Sequence, residues 1–369
     1  MLVISWKIYH ESYNKGIVSY GNNSCSWQAA LLAVLIQQLY CMKNIVLSIG
    51  WLVLLVNYTK GQHVNSINPG AVWPDVNGVH IQAHGGGVIK IGKVYYWYGE
   101  QRALGLDKSQ RYVSCYSSND LMHWKFSGNA LQLSDPENLG PGWVLERPKV
   151  YYNSKTQKYV MYFHLDNSSY KLARVGIAVS EDPAGPFTYA KNFRPLDHES
   201  RDIGQFIDDD GTAYLVFEDR PFGFRIARLS DDYMSLDKEM CLIKAHMEGG
   251  AIVHFNGLYY AIGSALTGWK ANPNKYATAK SLEGPWSDFK DIAPPEKNTY
   301  GAQSTMMLKI VGTKQTTVIY MGDIWKPNTQ WASTYLWMPI EIGEGKLWLP
   351  EPKPWTLDLK SGKYEYITK

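Results

Sequence analysis

Apolar residues in this chain gather in short runs that come in pairs, each pair split by a tight turn. Val88-Ile89-Lys90-Ile91 turns at Gly92-Lys93 into Val94-Tyr95-Tyr96-Trp97-Tyr98. Val150-Tyr151-Tyr152 turns at 153–157 into Tyr159-Val160-Met161-Tyr162-Phe163. The same design recurs around Asp209-Asp210-Gly211, Asn256-Gly257 and Gly312-Thr313-Lys314. Asp-Gly and Asn-Gly between apolar runs are strong hairpin signals. Each hairpin follows a polar opening: His84-Gly85-Gly86-Gly87, Glu146-Arg147-Pro148, Ser200-Arg201-Asp202, Glu248-Gly249-Gly250 and Gln303-Ser304-Thr305. Strand-only units repeating at roughly 45–60 residues predict an all-β, five-bladed β-propeller. The innermost strands of a propeller converge on one axis, so the five openings are expected to share one pocket. A β-sandwich also has many short strands, but it gives no reason for polar openings at the repeat period. The matched corners Asp182-Pro183-Ala184-Gly185-Pro186-Phe187 and Leu282-Glu283-Gly284-Pro285-Trp286 support a true repeat. The tail from Leu347 is expected to pack outside or to close the ring.

Composition agrees with strands. The 369 residues include 26 Tyr, 14 Trp and 10 Phe, types enriched in sheets. A net charge of +3, without a basic stripe, argues against nucleic acid as a partner. The four cysteines, Cys25, Cys41, Cys115 and Cys241, form no CxxC pair. Neither a zinc site nor a disulfide framework is expected, and Cys115 and Cys241 read as buried small hydrophobes.

The first sixty residues carry a different pattern. Met42-Lys43-Asn44 precedes an apolar run from Ile45 to Val56, a basic start followed by a core of signal-peptide length. It is shorter than the ~20 residues a membrane span needs. The expectation is translation from Met42, with residues 1–41 a misplaced start, a signal peptide at about 42–61, and a secreted or periplasmic propeller over 62–369. An N-terminal membrane anchor is the rival reading.

A pocket rich in carboxylates and poor in other reactive groups points to glycosidic bond cleavage. An inverting hydrolase needs an acid for the leaving oxygen and a base for water, ~6.5–9.5 Å apart. The acid must stay protonated near neutral pH, which requires a neighbouring carboxylate or a dry site. Gly85-Gly86-Gly87 lacks the GK[ST] of a phosphate loop. Asp208-Asp209-Asp210-Gly211 hints at calcium but lacks the remaining EF-hand ligands, so a hairpin turn is expected. No GxSxG or HExxH occurs. No cofactor or metal is expected to be required.

His84-Gly85-Gly86-Gly87, Tyr96-Trp97-Tyr98-Gly99-Glu100, Ser114-Cys115-Tyr116-Ser117-Ser118, Glu146-Arg147-Pro148-Lys149-Val150, Ser200-Arg201-Asp202, Thr267-Gly268-Trp269 and Gln303-Ser304-Thr305 together resemble glycoside hydrolase family 43. The branch most resembled holds the exo-β-1,3-galactanases, over about residues 65 to 350. The resemblance implies a five-bladed propeller and an inverting mechanism. It makes Glu248 the general acid and Asp202 the carboxylate that tunes and orients it. Most of the family has a base aspartate in the first blade; here His80, Ala83 and His84 stand in that region. The galactanase branch shares that absence, and implies that Gln303 orients the water, with an imidic acid tautomer as its basic form. Glu146, grouped with the catalytic residues, matches a carboxylate on the terminal sugar, and Glu100 and Tyr170 resemble further sugar contacts. Glu248-Gly249-Gly250 replaces a Glu-Ala-Pro common in the branch, which implies a looser backbone beside the acid.

Each residue also has a plainer reading. Asp202 could pair with Arg201, and Glu146 with Arg147, as structural ion pairs. Trp269 and Trp325 either stack on sugar rings or belong to the core. His84 reads as structural. The expected function is release of terminal galactose from β-1,3-galactan of arabinogalactan by a monomer acting on a poly- or oligosaccharide. An α-L-arabinofuranosidase, or a sugar-binding propeller without catalysis, are the alternatives.

Overall fold

The computed structural model describes residues 65–367, together with Ile36, Gln37 and Leu39, which are helical and exposed. The readings of a start at Met42 and a signal peptide lie outside the described residues. The chain divides into Met1–Lys60 and Gly61–Lys369. Among the described residues no helix is long and apolar enough to cross a membrane.

The second unit is a ring of five antiparallel blades. Blade one is β1 (His84–Ile91), β2 (Val94–Glu100), β3 (Gln110–Ser118) and β4 (Lys125–Ser134). Blade two is β5 (Val144–Asn153), β6 (Lys158–Asp166), β7 (Arg174–Ser180) and β8 (Thr188–Phe193). Blade three is β9 (Ile203–Ile207), β10 (Ala213–Asp219), β11 (Gly223–Leu229) and β12 (Leu236–Ile243). Blade four is β13 (Met247–Phe255), β14 (Leu258–Ala265), β15 (Lys275–Ala279) and β16 (Lys290–Asp291). Blade five has three strands, β17 (Gln303–Val311), β18 (Thr316–Ile324) and β19 (Thr334–Pro339). Two small hairpins follow, β20 (Glu341–Gly343) with β21 (Lys346–Trp348), and β22 (Trp355–Leu357) with β23 (Tyr364–Tyr366).

Each first strand touches the next around the axis, and β17 returns to β1. Sheets stacked this way cover both faces of their central strands. That is why β6 is buried at every position after Lys158, and β10 throughout. Both read as apolar runs rather than alternating ones. The matched corners form the same turn: Gly185 N bonds Asp182 O at 3.0 Å, and Gly284 N bonds Ser281 O at 2.9 Å. The tail both packs outside and helps close the ring. Ile67 and Trp355 exchange backbone hydrogen bonds of 2.8 and 3.0 Å, and Gly70 N donates to Tyr335 O at 2.8 Å. The segment ahead of blade one is thus stitched to blade five. Cys115 is buried and Cys241 only half-buried, both as free thiols.

Trp97, on β2, is 1 % exposed. Its ring lies 4.5 Å from that of Trp337, 4.7 Å from Tyr335, 5.3 Å from Trp124 and 5.8 Å from Trp73. This cluster joins blades one and five beneath the ring's closure. Trp97→Ala is expected to cost about 3–5 kcal/mol, read as a lower midpoint in urea with an unchanged slope.

Candidate functional site

The repeat places a polar residue at the start of each first strand, and hairpin register sets it beside the end of the second strand. His84 faces Glu100, Glu146 faces His164, Glu248 faces Ser264 and Gln303 faces Asp323. In blade three Glu218 N donates to Asp202 O at 2.9 Å. A β-bulge interrupts the register just after each opening in blades one, two, four and five. Bulges re-aim side chains, and here the openings turn toward the axis. Lys149 Nζ closes the axis beneath them, donating to Gly85 O at 2.6 Å, Gly86 O at 2.8 Å and Thr305 Oγ1 at 3.2 Å. Burial pulls its ammonium down to about 7, with the Arg147 charge adding to the effect.

The openings surround a pocket of about 290 Å³. Glu100, Glu146, Tyr170, Asp202, Glu248, Trp269, Gln303 and Trp325 all line it, so the expected catalytic and sugar-binding residues face one cavity. Arg147, His164, Arg201, Arg220, Leu266 and Gly268 complete the wall. A second cavity of about 380 Å³ adjoins it and shares Glu100, Glu146, Tyr170 and Trp269.

Glu248 sits at the centre of a charge network. Its Oε1 accepts from Gln303 Nε2 at 2.9 Å, and Arg220 Nη2 stands 3.6 Å from its Oε2. Burial and then the Asp202 charge push its carboxyl up to about 8, against the pull of Arg147 and Arg220. It therefore holds its proton at neutral pH. Asp202 Oδ2 accepts from Arg147 Nη2 at 2.8 Å and from Gly249 N at 2.9 Å. The second bond fixes the backbone next to Glu248. Gly249 has φ +65°, and a Cβ there would lie 2.6 Å from Ser304 O. A Cβ on Gly250 would meet the Phe224 ring at 2.7 Å. The glycines therefore permit close packing beside Glu248, and the looser backbone expected from the sequence is not found.

The ion pairs that formed the plainer reading of Asp202 and Glu146 are replaced by others. Asp202 pairs with Arg147, while Arg201 pairs with Glu199. Glu146 meets His164 Nδ1 at 3.3 Å and the Tyr170 hydroxyl at 3.0 Å rather than Arg147. Asp202 thus takes its partner from blade two, and Glu146 takes both of its partners from elsewhere in its own blade. Burial disfavours ionised Glu146, but His164, Arg102 and Tyr170 outweigh it and hold the carboxyl below its ordinary value. Burial opposes charge on His164 as well, yet its bonds to Asp166 and Glu146 raise it to about 9. Buried Glu100 is raised by desolvation; Arg102 opposes this, and Oε1 accepts Arg147 N at 3.0 Å. Trp269 is 47 % exposed and meets Trp325 edge-on at 5.4 Å, so neither tryptophan is core. His84 is fully buried, bonded to Asp323 at 3.1 Å and stacked on Tyr335, as its structural reading requires.

Sequence reasoning missed Arg147, His164, Glu218 and Arg220 as parts of this network. One signal was available: Glu100, Asp166, Glu218 and Asp323 recur near the ends of the second strands. The turn Asp208–Thr212 lies at the other end of β9 as a hairpin, with Asp208 N bonding Thr212 O at 2.9 Å. Asp208, Asp209 and His254 converge there within 4.8 Å, and Lys309 contacts Asp209.

The raised carboxyl has a consequence for stability. Folded Glu248 keeps its proton up to about 8, whereas an unfolded glutamate loses it near 4.3. The folded state binds the extra proton across that window, so this group's contribution falls as pH rises through it. Glu248→Gln is expected to melt higher than the parent at pH 8.5 and to show a smaller gain at pH 5, by differential scanning calorimetry.

The family described as glycosyl hydrolases family 43 matches residues 82–323. Among solved structures, an exo-β-1,3-galactanase from Phanerochaete chrysosporium, bound to β-1,3-galactotriose, is 38 % identical. That match covers 82 % of this chain and 71 % of the other, with a TM-score of 0.77. An exo-β-1,3-galactanase from Clostridium thermocellum is 34 % identical over 82 % of this chain and 68 % of its own, with a TM-score of 0.74. A family 43 β-1,3-galactosidase bound to galactodeoxynojirimycin is 33 % identical over 76 % of this chain and 97 % of its own, with a TM-score of 0.69. No curated protein matches.

Proposed function

Because this chain belongs to glycosyl hydrolases family 43, we propose that it is an inverting, exo-acting hydrolase that releases terminal galactose from β-1,3-galactan. The observation that carries this reading is a carboxyl, Glu248, held protonated to about 8 inside a pocket lined by three further carboxylates. A group with that affinity can protonate a glycosidic oxygen at neutral pH. Asp202 raises it electrostatically and holds the adjoining backbone through Gly249 N.

The terminal sugar fills the pocket floor. Glu146, kept ionised by His164, accepts from its hydroxyls, with Glu100 and Tyr170 beside it. Trp269 and Trp325 offer aromatic faces at the rim, where the rest of the chain leaves. Gln303 orients the attacking water. Glu248 gives the proton to the leaving oxygen, Gln303 receives the one lost by the water, and no cofactor is invoked. A polymer found outside cells fits a secreted or periplasmic enzyme working as a monomer.

The decisive experiment incubates the chain from residue 62 with debranched β-1,3-galactan and follows products by anion-exchange chromatography. Free galactose from the chain end, appearing first as the α-anomer by NMR, is the expected result. Arabinofuranose released from arabinan, with no galactose from galactan, would reassign the sugar. Binding without any release would make the protein a carbohydrate-binding propeller.

A further inference from the structure

The three inner-strand openings in blades one, two and four share a backbone feature. The residue after the opening side chain is left-handed: Gly85 at φ +59°, Arg147 at φ +54° and Gly249 at φ +65°. Glycine takes this conformation freely and other residues do not. Two sites use glycine, and the third keeps an arginine that is 5 % exposed. A strained, buried arginine at a position its siblings give to glycine points to a task for its side chain.

The guanidinium reaches two other blades. Nη2 meets Asp202 Oδ2 at 2.8 Å and also contacts Gln303 Oε1, and Nη1 donates to Ser304 O at 3.2 Å. Gln303 Oε1 accepts a second bond, from Trp325 Nε1 at 3.0 Å. On the other side, Gln303 Nε2 donates to Glu248 Oε1 at 2.9 Å and to Ser264 Oγ at 3.1 Å. A primary amide has two hydrogens and two oxygen lone pairs, and all four are engaged. Neither a guanidinium nor an indole N–H can accept a hydrogen bond. Flipping the amide would set its NH2 against both donors. An imidic acid would place a hydroxyl hydrogen on the oxygen that those donors already occupy.

We infer that Arg147 is a positioning residue that, with Trp325, clamps Gln303 as an amide, oxygen inward and NH2 toward Glu248 and the pocket. In the unliganded enzyme Gln303 then presents its NH2, and not its oxygen, to Glu248. Because Nη2 also pairs with Asp202, one cation aligns the water-orienting amide and the carboxylate that tunes Glu248. The inference rests on the proposed hydrolytic reading of this pocket.

Two measurements test it separately from that reading. In protein labelled with ¹⁵N only at glutamine, the Gln303 side-chain signal is assigned by its loss in Gln303→Glu. A nitrogen bearing two protons is expected in the unliganded enzyme; a nitrogen bearing one would overturn the inference. In the kinetic arm, Arg147→Lys keeps the charge but not the reach of the fork. It is expected to lower kcat about 10²-fold with KM little changed and to move the Gln303 amide signals. Trp325→Phe is expected to move the same signals with the backbone spectrum intact. Arg147→Ala is expected to regain part of its kcat with added methylguanidinium. Wild-type kcat and unmoved Gln303 signals in Arg147→Lys would sink the clamp. If the unaltered enzyme releases no sugar from β-1,3-galactan, the substrate reading fails alone, and the labelled amide still decides the clamp.

Discussion

Glu248→Gln is expected to lower kcat on β-1,3-galactan by about 10³-fold or more, within the range of general acid catalysis at its upper end. The carboxamide keeps the shape and still meets Gln303, but it has no proton to give to the leaving oxygen. KM is expected to change little, since Glu146, Glu100 and Tyr170 supply the other polar walls. The protein remains folded, because the neutral amide replaces a carboxyl that burial and Asp202 already keep uncharged at neutral pH. Initial rates of galactose release, with a melting curve on the same sample, check both halves. Activity within tenfold of the parent would remove Glu248 from the acid's role.

Asp202→Asn is expected to lower kcat/KM about 10²-fold at pH 7.5 and to change the shape of the pH profile. The parent is expected to lose activity above about 8, as Glu248 ionises. Removing the Asp202 charge deletes the second-largest influence raising that carboxyl, leaving burial and Glu218 against the pull of Arg147 and Arg220. The basic limb therefore moves toward lower pH, and part of the lost activity returns as the assay is made more acidic. The asparagine oxygen can still accept from Gly249 N, so the backbone beside Glu248 keeps its place. A profile that falls uniformly at all pH values would show that Asp202 acts by geometry alone. The same substitution weakens the tie to Arg147, so the melting temperature is expected to drop.

How much of this was legible beforehand differs by kind of residue. Glu248, Asp202, Gln303 and Glu146 could be found because they stand at one fixed place in a repeat, and a repeat around an axis sends equivalent positions to one pocket. Trp269 and Trp325 could be named but not sorted between core and rim, since an aromatic looks the same in sequence whichever face it covers. Arg147 was visible as a neighbour of Glu146, and adjacency suggested the wrong partner. Its side chain instead crosses to blades three and five. The three-stranded fifth blade was hidden for a related reason, because its outer strand is met by Gly70 from one end of the unit and by the Trp355 indole from the other.

The sequence by itself determined the strands, their turns, the number of blades and the identity of the polar openings. Those depend on hydrophobic runs and turn residues a few positions apart, and such local preferences act before any distant contact forms. Only the tertiary structure decided the charge states and the pairings. Glu248 is an acid at neutral pH because burial and the charge of Asp202, 46 positions earlier in the chain, raise its carboxyl. Gln303 is held as it is because Arg147, 156 positions away, and Trp325 point donors at its oxygen. Electrostatics and hydrogen bonding depend on distance in space, which only the closed ring supplies.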